Sequence, residues 1–440
     1  MSAGSGAAPM RIGYVVGTFP VVSTTFIARE LEALRALGHT VTVLSVRRPG
    51  ASERATDPDA PGTPPVGYLL PISSLGLLRS HLSFAVRRPS AYFGTLGWLL
   101  TRPHPDARRR LRTLLHFGEG VAAASVLERA QVELVHAHFV DRAATIALTA
   151  GSLMGVPYSV TAHANDIYRD PLLLPEKLGR AAFAVTVSEA NRRHLLAACP
   201  GLAPDRLEVI HGWVDATVWR PSLARSTGGP LRIASVGRLV DKKGHGDLIE
   251  ACALSLAAGT PIECDIVGEG PMRAELDQRI RQLGIGHRVR LLGARPSPEV
   301  KALLDAADAF VLACRVAPDG DRDGMPVALA EAMAMGLPVI STVLPGIDEL
   351  VRPGTGRLVP QHDPRALAAA IGDLAAATPD ARISMGEAGR AVVLESFVVA
   401  AATDHLVALF RQAIGRTSTP DGTALGDGPS GLATSRASRR

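Results

Sequence analysis

The sequence predicts an α/β protein of two doubly wound, Rossmann-like domains facing one another across a cleft. Three observations carry this. The chain has 440 residues, more than one hydrophobic core usually serves. Short apolar runs alternate with helical patterns in two separate series, the order that builds parallel sheets covered by helices. Between the series, around Arg220–Pro230, the composition turns to Pro, Gly, Ser and Thr, as a linker's does.

The first series follows a small, polar stretch at residues 1–10, expected to be flexible and without the apolar core of a signal peptide. Arg11–Val16 reads as a strand ending in Gly17. Phe26, Ile27, Leu31, Leu34 and Leu37 then fall near helical spacing until Gly38, and Val41–Val46 reads as the next strand. Arg48–Pro65, rich in Pro, Gly and Asp, reads as a loop. From Leu75 to Leu115, apolar stretches carry eight arginines against one acid, Asp106. That pattern fits docking on an anionic membrane, or equally a helical part of the domain with ordinary surface arginines. Strands resume at Val132–Val135, Tyr158–Ala162, Phe183–Val187 and Leu207–Ile210.

The second series has strands at Arg232–Val236, Ile262–Val267, Val289–Leu292, Ala309–Leu312 and Pro338–Ser341. The expected organisation is a first domain over 11–222, a linker over 223–230 and a second domain over 231–397. A C-terminal helix over 398–414 and a Ser/Thr/Gly-rich, disordered tail over 415–440 complete it.

Composition limits the partners. A net charge of +5 admits an anionic substrate or membrane surface, but no basic stripe interleaved with aromatics points to nucleic acid. Cys199, Cys252, Cys264 and Cys314 form no CxxC pair, so buried free thiols are expected rather than disulfides or metal ligands. No apolar run approaches the roughly 20 residues that span a bilayer. The expected place is the cytoplasm, at most peripheral on the inner face of the membrane.

Four motifs carry chemistry. Gly237–Gly244 (GRLVDKKG) follows a strand and precedes a helix. There a glycine lets the backbone approach a ligand and the helix amino end favours an anion. Arg238 supplies a planar fork and Lys243 a point charge, both suited to a diphosphate; an ordinary solvated loop is the plainer reading. Asp323 to Glu331 (DGMPVALAE) runs from a loop into a helix opened by Pro326. Carboxylates there suit sugar and ribose hydroxyls, although Asp323 could also be a helix-dipole partner. Beside them, Asp319 and Asp321 suggest a calcium loop, but the twelfth position is Ala330, one short of Glu331, so the register fails. The two aspartates could still hold a metal-bound ligand.

The third group, His136, His138 and then His163 with Asp166, follows two strands where a doubly wound domain places its cleft. Zinc would need a fourth ligand or an acidic partner, and none is evident. A structural role suits His136, and His163 is the better site candidate. The fourth motif is Gly17 alone, placed to face phosphates across the cleft.

Together these residues resemble the retaining GT-B glycosyltransferases of family 4, closest to members that build exopolysaccharides. The resemblance runs from about Arg11 to Phe397. It rests on the stretch Phe19–Glu30, on HAHF (His136–Phe139), TAHANDIY (Thr161–Tyr168), VSEANRRHL (Val187–Leu195), SVGRLVDKKG (Ser235–Gly244), IVGEGPMR (Ile266–Arg273), LLGARP (Leu291–Pro296) and Asp319–Thr342. It implies that Arg238 and Lys243 hold the donor diphosphate, Glu331 the ribose and Asp323 the transferred sugar. His163 is the cleft histidine near that sugar and Gly17 the glycine beside the phosphates. It further implies a UDP-sugar donor and a glycan, lipid-linked or small-molecule acceptor. No metal or other cofactor is implied, and the last helix returns to the first domain. The chain departs from the family at Asp323, where glutamate is common, at Thr24, also usually glutamate, and at Trp213, where glycine is expected. A glycosyltransferase of soluble aglycones, a nucleotide-sugar epimerase and an inactive nucleotide-sugar-binding protein are the alternatives.

Overall fold

The computed structural model describes residues 8–21, 24–50, 65–169, 171–212, 214–222 and 229–418. Its first sheet contains β1 (Arg11–Thr18), β2 (Thr40–Arg47), β3 (Val66–Tyr68), β4 (Leu134–His138), β5 (Tyr158–Ala162), β6 (Ala184–Thr186) and β7 (Leu207–Val209). They lie in the order β3-β2-β1-β4-β5-β6-β7, and every pairing is parallel. The second contains β8 (Leu231–Val236), β9 (Ile262–Val267), β10 (Val289–Gly293), β11 (Ala309–Leu312), β12 (Val339–Thr342) and β13 (Gly356–Val359). Its order is β10-β9-β8-β11-β12-β13, again wholly parallel.

Both sheets are doubly wound, as predicted. The strand order reverses between β1 and β4, and between β8 and β11. Such switch points open a crevice beyond the strand carboxyl ends, where ligands of this architecture sit. β4, β5 and β11 are buried along their whole length, so they read as continuous apolar runs rather than alternating ones.

Several elements differ from the sequence reading. β3 and β13 were not expected: each is short, and alternation over three or four residues leaves little signal. His136 and His138 stand on β4 rather than after it, and Gly17 lies within β1 rather than in the loop beyond. Met10 belongs to the core, its backbone N–H bonded to His39 Nδ1 at 3.1 Å, so the flexible stretch cannot extend that far. Residues 75–115 fold into the helices Ser74–Arg87 and Pro89–Thr101 and the first part of Ala107–Arg129. The last of these is capped by Asp106, whose carboxylate accepts the Arg109 N–H at 2.7 Å.

The C-terminal helix is Val399–Ser418, so residues 415–418, expected in the tail, are helical. Leu406, Val407, Phe410 and Ala413 on it pack with Tyr14, Ile27 and Leu31 of the first domain. All four cysteines are free and buried. Among the described residues, no helix is long and apolar enough to cross a membrane. Trp213, most of the Arg48–Pro65 loop, most of the linker and the tail beyond Ser418 lie outside the described residues.

Candidate functional site

On the second domain the site begins at the loop after β8. Gly244 takes φ +63°, and a Cβ there would stand 1.7 Å from the Ala313 carbonyl oxygen, so only glycine fits. That close approach clamps the loop to the end of β11. Arg315 completes the clamp. Its guanidinium donates to both Asp247 oxygens at 3.1 Å, to the Asp241 carbonyl at 3.1 Å and to the Asp241 carboxylate. The short turn Asp241–Lys243 is thereby fixed immediately before the helix His245–Ala257.

Fixing that turn aims its lysines at the acidic loop. Lys243 Nζ stands 2.7 Å from Asp323, and Lys242 Nζ is 3.0 Å from Asp321 and 3.6 Å from Asp323. Burial works against ionising Asp323, yet Lys243 and then Lys242 hold its carboxyl below the usual carboxylate range. Burial likewise pushes Lys243 down, and the facing Asp323 outweighs it, so the ammonium group is held above its ordinary value. The Cys314 thiol adds a bond to Asp323 at 3.4 Å. Arg238, on the same loop, is exposed and forms no ion pair among the described residues. Asp319 pairs instead with Arg169 at 2.8 Å, so Asp319 and Asp321 face different cations.

Glu331 lies on the helix Val327–Ala334, whose residues are mostly buried. Its carboxylate meets Arg29 of the first domain at 2.5 Å, and Arg29 also lies over the Trp219 ring, 5.7 Å from its centroid. Burial raises the pKa of Glu331, and Arg29 offsets part of that rise. The acidic loop also leans on the first domain. Arg322 stacks on Tyr168 at 4.5 Å, and a Cβ built on Gly324 would come 3.2 Å from Ala164 Cβ. Glu349 accepts the backbone N–H groups of Glu189 and Ala190, both at 2.9 Å.

The first-domain wall is different in chemistry. His163 Nε2 lies 3.2 Å from His138 Nδ1, and His138 Nε2 lies 3.0 Å from Glu30. Tyr14 donates to the same Glu30 oxygen at 2.6 Å. Burial raises the pKa of Glu30, but His138 and the other donors overcome it and leave the group ionised. His136 is held by Ser159 at 2.9 Å and Thr161 at 3.1 Å. Burial, then His138, lowers His136 to about 3. His163 is pushed well below its usual value by burial and by the other two histidines. Both rings are neutral at pH 7. The His163 ring lies between Phe26 and Phe139, at centroid distances of 4.9 and 4.5 Å. Together with Glu30, His138, Gly212 and Thr403 it lines a cavity under the C-terminal helix.

Arg238, Lys243 and Asp323 are therefore brought together, with Glu331 on the adjoining helix and His163 across the cleft on the helix that approaches Gly324. Gly17 is open on its cleft side, its nearest neighbour being Asp141, whose Oδ2 would lie 3.9 Å from an added Cβ. Asp166 caps the helix Ala164–Tyr168 reciprocally with His163, its backbone N–H donating to the His163 side chain. Its carboxylate accepts the backbone N–H groups of His163 at 2.8 Å and Val140 at 2.5 Å, and so shapes the loop. The acidic partner that the histidines lack in sequence is Glu30. Atoms of Glu30, His136 and His138 that could ligate a metal lie within 4.8 Å of one another, but Glu30 and His138 bond each other, and both His136 nitrogens are taken by Ser159 and Thr161. Sequence reasoning missed Arg29, Glu30 and Tyr14. The available signal was helical spacing, since Phe26 and Glu30 lie four apart and share a face.

Known proteins match this chain along most of its length. The family described as Glycosyltransferase Family 4 matches residues 23–218, and that described as Glycosyl transferases group 1 matches 219–392. The chain is 30% identical to AmsK, an amylovoran biosynthesis glycosyltransferase of Erwinia amylovora, over 86% of its own length and 92% of AmsK. It is 29% identical to WcaL of Salmonella typhimurium, named as a colanic acid biosynthesis glycosyltransferase, over 91% and 100% of the two chains. Its fold matches Anabaena HepE, crystallised with UDP and glucose, at a TM-score of 0.65 and 18% identity, over 92% and 100% of the two chains.

Proposed function

The chain belongs to family 4 of the glycosyltransferases and is a transferase of GT-B fold. On that premise we propose that it moves a sugar from a UDP-sugar to a hydroxyl of a glycan or lipid-linked oligosaccharide in exopolysaccharide assembly. In this reading the anomeric configuration is retained, no metal is needed, and the reaction runs on the cytoplasmic face of the membrane.

The observation that carries the reading is the Lys243–Asp323 pair at the carboxyl ends of β8 and β11, with Lys242 behind it and exposed Arg238 beside it. As the bond between C1 and the diphosphate oxygen breaks, negative charge gathers on the departing diphosphate. Lys243, Arg238 and the amino end of the helix His245–Ala257 stabilise it from fixed positions. The acceptor oxygen bonds to C1 from the face the diphosphate leaves, and its proton passes to a phosphate oxygen. Asp323 binds a sugar hydroxyl, and Glu331 takes the ribose hydroxyls once these displace Arg29. His163, neutral and held by His138, borders the reacting sugar. The pathways named for AmsK and WcaL support the acceptor class, and the UDP and glucose bound to HepE support the donor.

The test is a panel of UDP-, GDP- and ADP-sugars. Ligands that bind only the folded chain raise its melting temperature, and UDP-sugars are expected to do so. Turnover in EDTA with a lipid-linked acceptor, read by NMR at the new anomeric centre, checks the rest. Activity lost in EDTA and restored by Mg²⁺ contradicts the metal-free reading. Donor converted without acceptor identifies an epimerase.

A further inference from the structure

The first domain carries an inverted helical surface. Eight of the fourteen large apolar side chains that are exposed among the described residues fall between Leu75 and Leu115. Leu75, Leu78, Leu82 and Val86 follow one face of the helix Ser74–Arg87, and their exposures run from 55% to 78%. That helix buries only Phe84. Leu111, Leu114 and Leu115 recur at helical spacing on the first turns of Ala107–Arg129, and Phe93 stands exposed on the helix between. Monomeric soluble proteins rarely leave such a stripe bare.

The two longer helices run side by side in the same direction. Ser125 donates to Ser80 at 2.8 Å, and Arg87 to Glu128 at 2.7 Å. Their amino-terminal turns, with Leu75, Leu78, Leu111 and Leu115, therefore lie together. Helices that cover a parallel sheet run against its strands. These turns consequently sit at the strand carboxyl ends, the edge that bears His138 and His163.

The charge around the stripe is predominantly positive. Arg79, Arg108, Arg110 and Arg112 are exposed and form no ion pair among the described residues, and Asp106 is the one acid between residues 74 and 115. Apolar side chains flanked by arginines suit the headgroup boundary of an anionic bilayer. They suit a protein partner poorly, because interface cores are depleted in charge.

We propose that this face docks the enzyme on an anionic phospholipid surface, with the cleft edge of the first domain turned to the bilayer. A lipid-linked acceptor then enters from the membrane side. The orientation rests on the proposed acceptor class; the docking itself does not.

The experiment uses the full chain with vesicles of phosphatidylcholine, with and without 30% phosphatidylglycerol. Sedimentation is expected only with the anionic vesicles, and it should fall sharply at high salt. Each arginine replaced by alanine at 108, 110 or 112 should lower partitioning roughly fivefold. Leu78→Glu with Leu82→Glu should abolish it, while the melting temperature and calorimetric UDP binding stay as in the parent. No sedimentation with anionic vesicles, or equal sedimentation with both kinds, overturns the proposal. So does a dimer in light scattering that Leu78→Glu dissociates, since a second copy would then cover the face. Failure of UDP to bind the parent overturns the UDP-sugar reading instead, and the two failures are separable.

Discussion

The two walls of the cleft solve opposite electrostatic problems. The second-domain wall keeps charge: Lys243 and Asp323 remain ionised because each faces its opposite at 2.7 Å, with the Lys242–Asp321 pair beside them. The first-domain wall suppresses it, with His136 and His163 neutral under burial and Glu30 the ionised group that anchors His138, which in turn holds His163. A fixed cationic wall suits a diphosphate, whose charge grows during transfer. A neutral imidazole and aromatic wall suits a sugar and an incoming hydroxyl. The division of labour follows from which side chains were buried with partners and which without.

The largest effect should come from breaking the charged wall. Lys243→Met is expected to lower turnover by about 10²- to 10³-fold, as loss of a fixed electrostatic group does. It also takes the nearer partner from buried Asp323 and leaves it only Lys242 at 3.6 Å, at a stability cost below the about 3–5 kcal/mol of a fully orphaned buried charge. The double change Lys243→Met with Asp323→Asn should restore much of the melting temperature and none of the turnover. If it restores both, the pair is structural and the wall holds no diphosphate.

Breaking the neutral wall should act on turnover alone. Glu30→Gln removes a charged hydrogen-bond partner worth about 1.5–3 kcal/mol and lets His138 and His163 drift. Steady-state kinetics should show kcat reduced roughly tenfold or more and the UDP dissociation constant unchanged. Glu30→Asp should recover part of the rate. An unchanged kcat would remove the Glu30–His138–His163 chain from the account.

The walls should also part company in acid. Folded His136 takes its proton near pH 3, the unfolded residue near 6.5. Between those values the unfolded chain binds more protons, so stability is lost as the pH drops, by about 1.4 kcal/mol per unit for this residue. Asp323, with its pKa depressed, contributes stability that is lost only as pH falls through that lowered value; Lys243, with its pKa raised, loses its share only at high pH. The second domain carries one comparable histidine, His245, lowered by burial to about 4. Hydrogen exchange at pH 5 should therefore deprotect β4 and β5 before β8 and β11, and the reverse order would contradict the electrostatic contrast. The smallest effect expected is that of EDTA: turnover unchanged.

The fold was largely legible, because continuous apolar runs such as Tyr158–Ala162 and Ile262–Val267 mark buried parallel strands. The second-domain site was legible for a similar reason: Arg238, Lys243, Asp323 and Glu331 lie in loops and helix starts that adjoin strand ends in sequence. The first-domain network was not. Glu30 meets His138 across 108 residues, and Arg29 meets Glu331 across 302, pairings that no local period encodes. The short edge strands β3 and β13 escaped because three or four residues cannot establish alternation.

The central claim, that nucleotide binding belongs to the charged wall and turnover to both, is tested most directly by calorimetry of free UDP on two variants that leave the ion pairs of the charged wall intact. Arg238→Ala should weaken UDP binding by tenfold or more, since the exposed guanidinium holds the diphosphate. His163→Ala should bind UDP as the parent does while turning over far more slowly. Undiminished binding by Arg238→Ala, together with lost binding by His163→Ala, would contradict the account.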